Sequence, residues 1–367
     1  QVGKELASLS LRHLPRMSTG QEKEPGDSDC WDDMVSAFLR EPFHEMPGEV
    51  FRYNSIATYM LSESLKKKGI DLEHYLEEKL LTPMGISGTR WLRDPKGICV
   101  GGFGFSLYPE VIAKLGQMIL QGGIWNGIQL VPKDYIDMAT SKQIENGDDP
   151  DSDWAQGYGY QMWRCRHNAV RGDGMYGQFC IIHKETDTVL AMTAVTSDMQ
   201  GEMNAYYDEV LLKYQDEPLS EDEKTMEVLK KRLNELHYVR PLPEDDGSAV
   251  PDAFKKINLS LTSFFDLSLN IEGNMLTLTG KDGEIWYRAE RGCWSKISRK
   301  VHCSPFYTEK DSMDTPVIGA WGVKNGVLTI RVYEIEFLEE DTLTLTEAED
   351  GIHVSFANTT IPSNPNE

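Results

Sequence analysis

The spacing of apolar residues divides the chain into a helical part and a strand-rich part. From Ser55 to Lys68, apolar side chains such as Ala57 and Leu61 recur at helical intervals, which predicts an amphipathic helix. Lysines fill its last turn and Gly69 follows, as is typical of a helix end. Similar patterns predict further helices over 8–20, 31–43, 71–86, 109–123, 132–143 and 201–215.

A different period follows in the next part of the chain. Residues 158–166 alternate between apolar and polar, and 178–183 and 188–195 are short apolar runs joined by a turn at 184–187. Alternation and a short polar connection are typical of antiparallel strands in a hairpin. Helices followed by antiparallel strands predict an α+β domain, an antiparallel sheet flanked by helices, over residues 1–215.

The remainder of the chain changes character again. Residues 216–254 are rich in charged residues and in proline, which predicts a charged helical linker. Residues 255–367 alternate in period two, with hairpin turns expected at 272–274, 281–283, 325–326 and 350–351. This pattern predicts a small C-terminal all-β antiparallel domain, a sandwich or barrel, without visible chemistry.

Charge and cysteine usage narrow the class of protein. The formal net charge of −22 argues against nucleic acid and anionic membrane surfaces as partners. No apolar run approaches the roughly 20 residues of a membrane helix. No signal peptide follows Gln1, and the cysteines are scattered, so we expect a cytoplasmic protein. The cysteines form no CxxC or zinc pattern, so we expect no metal and no cofactor.

Three stretches resemble ligand sites in composition, but their sequence context favours a structural role. The glycines at 101–104 lack the lysine and the context of a phosphate loop, so close backbone approach in a turn is expected. His167 and His183 lie on or near strands, where hydrogen-bonded structural histidines are expected. The acidic residues 148–153 lack calcium-loop spacing, which favours a solvated loop.

Four blocks in the first 210 residues carry a resemblance to a known family. They are LSLRHLPRMSTG, PGEVFRYNSIATYMLSESL, residues 100–132 and residues 158–195, of which the third is the most specific. Together they resemble the serine β-lactamase and penicillin-binding-protein-like superfamily, in its branch of class C-like esterases, amidases and 6-aminohexanoate-dimer hydrolases. The C-terminal β region is similar to an appendage of some bacterial members.

The resemblance implies a site of three parts, of which Tyr53-Asn54-Ser55 matches the second. It implies that Tyr53 is a general base, that Ser55 orients a lysine or the substrate, and that Asn54 contacts the substrate. Free tyrosine titrates near ~10, so Tyr53 would need a neighbouring ammonium to act as a base at neutral pH. The alternative is that Ser55 caps the helix and Tyr53 packs beside it.

The third part corresponds to Gly172-Asp173-Gly174, which replaces the family's K-T-G. The resemblance implies that Asp173 and Gly174 line the substrate side and that the Met175 N–H faces the oxyanion. Arg171 binds a substrate carboxylate or pairs with Asp173. A polar strand entry without a catalytic role is the alternative for this stretch.

The first part, a nucleophilic S-x-x-K, is absent where the resemblance requires it. The chain contains the pattern at Ser64 to Lys67, eleven residues along the helix from Tyr53. That separation is about 16 Å at 1.5 Å per residue, too far for proton transfer. We therefore expect either a fragment completed by an N-terminal segment or an oligomeric partner, or a relative without catalytic function.

The sequence thus favours a serine hydrolase that acts on a small ester, amide or peptide-like substrate through an acyl-enzyme. Its nucleophilic serine and its lysine would lie outside this chain. The alternative is a catalytically inactive ligand-binding or regulatory protein on the same fold.

Overall fold

The computed structural model describes residues 3–25, 30–215, 217, 222–236, 241–262, 265–280, 283, 285–301, 313–334 and 339–358. The chain forms two compact units, residues 1–194 with 198–214, and residues 195–197 with 215–367. The first unit mixes helices with an antiparallel sheet, and the second is dominated by antiparallel strands. The predicted α+β class is therefore confirmed.

The elements of the first unit are numbered in chain order. The helices are α1 Lys4–Ser8, α2 Met34–Arg40, α3 Ser55–Lys66, α4 Leu72–Leu76, α5 Pro109–Leu120, α6 Lys133–Thr140 and α7 Met199–Glu209. The strands are β1 Arg90–Trp91, β2 Phe105–Ser106, β3 Ile124–Trp125, β4 Ile128–Gln129, β5 Trp163–Arg164, β6 Val170–Gly174, β7 Gln178–His183 and β8 Thr188–Met192. A π-helical turn spans Glu77–Leu81, and 3-10 turns span Arg166–Asn168 and Leu211–Lys213.

The four strands β5 to β8 form one antiparallel sheet in chain order. Alternate residues of β7 point to opposite faces, so Phe179 and Ile181 share the face that packs against Met203 and Tyr207 of α7. On the opposite face, α5 approaches at Gly116, where a Cβ would lie 2.8 Å from Cys180 Sγ. The sheet is thus flanked by helices, as predicted.

Helix α3 follows the predicted pattern closely. It begins after Asn54 and ends near the predicted lysines, and it buries Ile56, Ala57 and Tyr59. Gly69 has the left-handed φ of +77° expected at a helix end, and the Ile70 N–H donates to Leu65 O. The predicted C-terminal end of this helix is confirmed to within two residues.

Two predicted elements differ in the structure. The helix predicted over 8–20 is wrong, because α1 ends at Ser8 and Met17 has a left-handed φ of +55°. The segment instead forms turns, in which the His13 N–H donates to Ser10 O and the Met17 N–H to Leu14 O. The strand predicted over 158–166 is confined to the two residues of β5.

The second unit contains the predicted antiparallel strands. Its elements are α8 Glu223–Glu235, α9 Asp252–Lys255, β9 Lys256–Thr262, β10 Phe265–Glu272, β11 Met275–Gly280, β12 Ile285–Arg291, β13 Ser295–Val301, β14 Met313–Lys324, β15 Val327–Glu334, β16 Glu339–Ala348 and β17 Gly351–Asn358. One sheet runs β17-β16-β15-β14-β12-β11-β10-β9, with β13 beside β14, and only the β12–β14 pair among these described pairings is parallel.

The core of this unit lies around Trp321 of β14, which is fully buried with Leu269, Leu276 and Leu328. The turns predicted at 272–274, 325–326 and 350–351 connect neighbouring strands, whereas Lys281 and Asp282 lie outside the described residues. Within the predicted linker, Asp245 pairs with Arg291 at 2.7 Å, so part of that segment is fixed to the sheet.

Candidate active site

Tyr53 lies at the entrance of α3 on an aromatic platform. The extended backbone before it is fixed by the Arg52 N–H, which donates to Met17 O at 2.8 Å. The Tyr53 ring stacks on Trp163 with 5.6 Å between centroids and 16° between planes. The residue as a whole remains 43% exposed, so Tyr53 is partly accessible to solvent although one face of its ring is covered.

Trp163 joins the tyrosine element to the strand element. It belongs to β5 and pairs with Arg171 of β6, so the residue that carries the Tyr53 ring also neighbours the 172–174 stretch. Phe51 and Tyr158 pack on its edges at 5.6 and 5.0 Å. Sequence reasoning missed Trp163 as a site residue, although the alternation of 158–166 was a signal that the stretch was ordered.

Asn54 is committed to the fold. It is 1% exposed, its Oδ1 accepts the Ala57 N–H at 3.0 Å, and its Nδ2 donates to Gln21 Oε1 at 3.0 Å. This is the geometry of a helix N-cap, so the cap of α3 is Asn54 and not Ser55. Both polar atoms of the amide are used, which fits capping instead of the substrate contact that the resemblance implied.

Ser55 faces a carboxylate that the sequence did not reveal. The N–H groups of Ser55 and Ile56 donate to Glu24 Oε1 at 2.7 and 3.3 Å. A carboxylate at this position is stabilised by the positive end of the helix dipole. Burial raises the pKa of Glu24, and the hydrogen bonds from Ser55 and Ile56 offset part of that rise.

The electrostatic surroundings of Tyr53 oppose its ionisation. Burial raises the pKa of the phenol above its ordinary value, and the carboxylates of Asp173 and Glu24 raise it further. A phenolate base at neutral pH needs a shift in the opposite direction, which a nearby cation would supply. The structure therefore brings Tyr53 near Asp173, but the strongest influences on its pKa favour the neutral phenol.

Arg171 lies in the interior of the first unit and has no solvent-accessible surface. It is fully buried, its Nε and Nη2 donate to Asp173 Oδ2 at 2.9 and 2.7 Å, and its Nη1 donates to Asp153 O at 2.7 Å. The guanidinium also covers the Trp154 ring at 4.3 Å. Of the two roles expected from the sequence, this geometry fits pairing with Asp173 and does not fit binding of a substrate carboxylate.

The K-T-G-like stretch forms β6 and the start of a hairpin turn. Gly172 pairs with Cys180, and Gly174 pairs with Gln178 so closely that a Cβ on Gly174 would lie 2.8 Å from Gln178 Cβ. Met175 follows in the turn and is 74% exposed. Met175 thus lies at an exposed turn next to β6, and the Asp173 carboxylate of that strand contributes to the raised pKa of Tyr53.

The S-x-x-K pattern inside α3 does not form a nucleophilic centre. The Ser64 hydroxyl donates to Met60 O at 2.6 Å, in the preceding turn of the same helix. Lys67 is exposed and pairs with Glu63 at 3.6 Å. Both groups are engaged locally, as expected for a chance match on a helix surface.

The other candidate stretches have structural roles. A Cβ on Gly102 would lie 2.6 Å from Ser55 O, so the glycine permits the expected close backbone approach. His183 is buried, with its two ring nitrogens at 2.7 Å from Thr186 Oγ1 and His167 O. Asp153 contradicts the expectation of a solvated loop, because it is fully buried. Among the described residues no group of three or more His, Cys, Asp or Glu could hold a metal ion.

Comparison with known proteins identifies the family. A family model described as beta-lactamase matches residues 2–214, which is more than half of the chain, so the chain belongs to the beta-lactamase family. The resemblance to the serine β-lactamase and penicillin-binding-protein-like superfamily is confirmed by this match. No curated protein sequence matched the chain at a significant level. None of the described helices is long and apolar enough to cross a membrane.

Solved structures that are similar to this chain include the following three proteins, each from a different organism. A Bacillus anthracis protein assigned as a 6-aminohexanoate-dimer hydrolase has 21% identity and a TM-score of 0.44, covering 55% of this chain and 60% of its own. A penicillin-binding protein homologue from Pyrococcus abyssi, described as octameric, has 15% identity and a TM-score of 0.41, covering 95% and 80%. Simvastatin synthase from Aspergillus terreus has 16% identity and a TM-score of 0.45, covering 57% and 69%. These likenesses concern the fold alone.

Proposed function

We propose that this chain is the larger part of a serine hydrolase that cleaves a small ester or amide through an acyl-enzyme. The observation that carries the proposal is the convergence of Tyr53 with the 172–175 stretch through Trp163, within a domain of the beta-lactamase family. In this proposal Tyr53 takes the proton of a serine outside residues 1–367, and a lysine beside that serine lowers the pKa of the phenol.

The proposal assigns different tasks to the remaining site residues. Ser55 orients the incoming lysine or the substrate, and the Met175 N–H donates to the oxyanion. Asp173 and Gly174 line the substrate side, with Asp173 held in place by Arg171 at 2.7 Å. Asn54 stabilises the site indirectly, because its side chain caps the first turn of α3.

One observation favours the alternative, a ligand-binding relative without catalysis. The groups that most affect the Tyr53 phenol, after burial, are the two carboxylates Asp173 and Glu24, and both keep it protonated. A neutral phenol on a tryptophan, beside two carboxylates, is suited to hydrogen bonding with a ligand. The experiment described next distinguishes the hydrolase from the ligand-binding protein.

The experiment compares this chain with the protein that includes the natural sequence upstream of Gln1. We expect the upstream segment to contain S-x-x-K, the longer protein to hydrolyse p-nitrophenyl acetate, and a fluorophosphonate probe to label that serine. Tyr53→Phe should lower kcat by about 10²- to 10⁴-fold, the range of general base catalysis. Tyr75→Phe is the matched control, because Tyr75 is similarly exposed, 46% against 43%.

Two results would contradict this proposal, the first by moving the nucleophile and the second by removing the hydrolase activity. One is labelling of residues 1–367 alone at Ser64 or Ser55, which would place the nucleophile inside this chain. The other is a longer protein that folds but is neither labelled nor active, which would support the ligand-binding alternative.

A further inference from the structure

A cavity of about 630 Å³ lies in the first unit, lined by α6, the 3-10 turn at Arg166–Asn168 and strands β5 to β7. Its lining includes the buried apolar residues Val170 and Ile182 and several polar residues, among them four cationic side chains and the carboxylate of Asp137. Neither Tyr53 nor the 172–175 stretch lines it. It is therefore separate from the candidate active site.

Two cations converge at one residue of this cavity. Arg164 Nη1 donates to Thr140 O at 3.0 Å, and Lys184 Nζ donates to Thr140 Oγ1 at 3.3 Å. Both contacts are made to the last residue of α6, where the helix dipole favours positive charge. Because like charges held close together repel one another, an anion between them would be stabilised by both.

The other charged residues of the cavity are paired. Lys142 pairs with Glu145 at 2.8 Å, and Arg166 pairs with Asp153 at 2.9 Å. For Arg164 and Lys184, no ion pair within 4.0 Å is present in the described parts of the chain, although Lys184 contributes, after Lys133, to the lowered pKa of the Asp137 carboxyl. Burial lowers the pKa of Arg164, which is the direction expected of a desolvated cation without a counter-ion.

Arg164 is also held in a fixed orientation. Its Nη2 donates to Asn168 Oδ1, and Asn168 Nδ2 donates to Glu185 Oε1 at 2.9 Å. His167 and Asn168 both have left-handed φ values, +55° and +58°, and the turn is held by the contact of His183 Nε2 with His167 O at 2.7 Å. Such strained backbone persists where its surroundings determine it, and it is frequent at ligand sites.

We propose that this cavity binds a small oxyanion, a phosphate or a carboxylate group, between Arg164 and Lys184. The planar guanidinium suits two oxygens of one oxyanion, and the ammonium of Lys184 supplies the second charge. The hydroxyls of Thr140 and Ser141 at the wall of the cavity already donate to Ile136 O and Met138 O, so the donors to the anion are the two cations. In a chain with a net charge of −22, this local excess of positive charge directs anions to one place.

Isothermal titration calorimetry with inorganic phosphate tests the site, with acetate as the carboxylate and chloride as the anion without oxygen. We expect saturable binding of phosphate or acetate, one mole per mole of protein, and no saturable binding of chloride. Lys184→Gln and Arg164→Gln should each weaken binding by about tenfold or more, the loss of a hydrogen bond to a charged group.

Two further variants keep the result interpretable. Lys114→Gln removes a lysine of the first unit that does not line the cavity and should leave the affinity unchanged. Asp137→Asn removes the carboxylate of the cavity wall, which pairs with Lys133, and should tighten binding, a gain that a misfolded variant cannot produce. Absence of saturable oxyanion binding by the unmodified protein, or equal affinity in all four variants, would overturn the proposal.

Discussion

At the scale of single residues, Asp153 joins the sheet of the first unit to α7. Its Oδ1 accepts the Arg166 N–H and the Tyr207 hydroxyl, and its Oδ2 accepts Arg166 Nε and Gln200 Nε2, all at 2.8 to 2.9 Å. Burial alone would raise the pKa of this carboxyl, but the hydrogen bonds outweigh it, so the pKa is lowered. The carboxylate is therefore charged and fully satisfied in the interior.

Asp153→Ala should destabilise the first unit by about 3–5 kcal/mol, because it leaves buried donors and the Arg166 charge without their partner. Urea unfolding followed by circular dichroism measures the change. Asp151→Ala is the matched control, since this neighbouring carboxylate is exposed and its loss should change stability by no more than about 0.5 kcal/mol. Equal effects of the two substitutions would refute the structural role of Asp153.

The role of Asp153 was not predictable from the sequence. Its neighbours from 148 to 152 are acidic or turn-forming, so local composition indicated a solvated loop. The partners that bury it lie up to 54 positions away, at Tyr207, and no local pattern reports such a contact. The same holds for Glu24, whose contact with Ser55 spans 31 positions.

At the scale of elements, α3 and the glycine turn beside it hold Tyr53 in place. The backbone at Gly102 lies against the first turn of α3, where only a hydrogen atom fits between the two chains. The N-cap at Asn54 and the contact at Gly102 act on the same turn of the helix. This close packing gives a structural reason for a glycine at position 102.

Gly102→Ala should lower the stability of the first unit by about 1–3 kcal/mol, the usual cost of forcing an extra methyl group into a packed interior. Neither Gly102 nor Gly172 has a left-handed φ, which makes Gly172→Ala a suitable control. Its Cβ would lie 3.8 Å from Cys180 Cβ, an ordinary contact, so stability should be unchanged or raised by up to about 1 kcal/mol. Chemical denaturation of the two variants side by side decides the question, and an unaltered midpoint for Gly102→Ala would contradict the packing described.

Elements with a strong internal period were predicted well, and those shaped by long-range contacts were not. Strand β7 matches the predicted 178–183, and the start of α3 matches Ser55, because each carries its own periodic pattern. The helix predicted over 8–20 failed at Pro15 and Met17. There the chain turns so that Gln161 can donate to Pro15 O at 2.8 Å, a contact between distant parts of the chain.

For the candidate site too, features carried by local sequence were predictable and features that depend on long-range contacts were not. The tyrosine element and the K-T-G-like strand were located from the resemblance, and Trp163 connects them in the structure. The sequence could not distinguish a substrate-binding Arg171 from a buried one, because that depends on Trp154, Asp153 and Cys165 closing around it. Residue type predicted the chemistry available, and burial determined which groups remain accessible.

At the scale of the whole molecule, the described residues of each unit form hydrophobic clusters of their own. In the first unit one cluster lies around β7 and α7, with Phe179 fully buried, and in the second unit a cluster lies around β14, with Trp321 fully buried. Trp321 also donates its indole N–H to Asn274 O at 3.0 Å and lies beneath the Arg291 guanidinium at 5.3 Å. Units that each have their own core commonly unfold as separate cooperative transitions.

Differential scanning calorimetry should therefore resolve two transitions, each sensitive to one core. Trp321→Ala should lower only the transition of the second unit, by about 3–5 kcal/mol in stability, because it removes a large buried ring and leaves a cavity. Phe179→Ala should lower only the other transition by a similar amount. Phe356→Ala, which truncates an aromatic residue of the second unit that is 45% exposed, is the control and should move neither by more than about 0.5 kcal/mol. A single transition displaced equally by Trp321→Ala and Phe179→Ala would mean that the two units unfold as one, and that the stability of the first unit depends on the second.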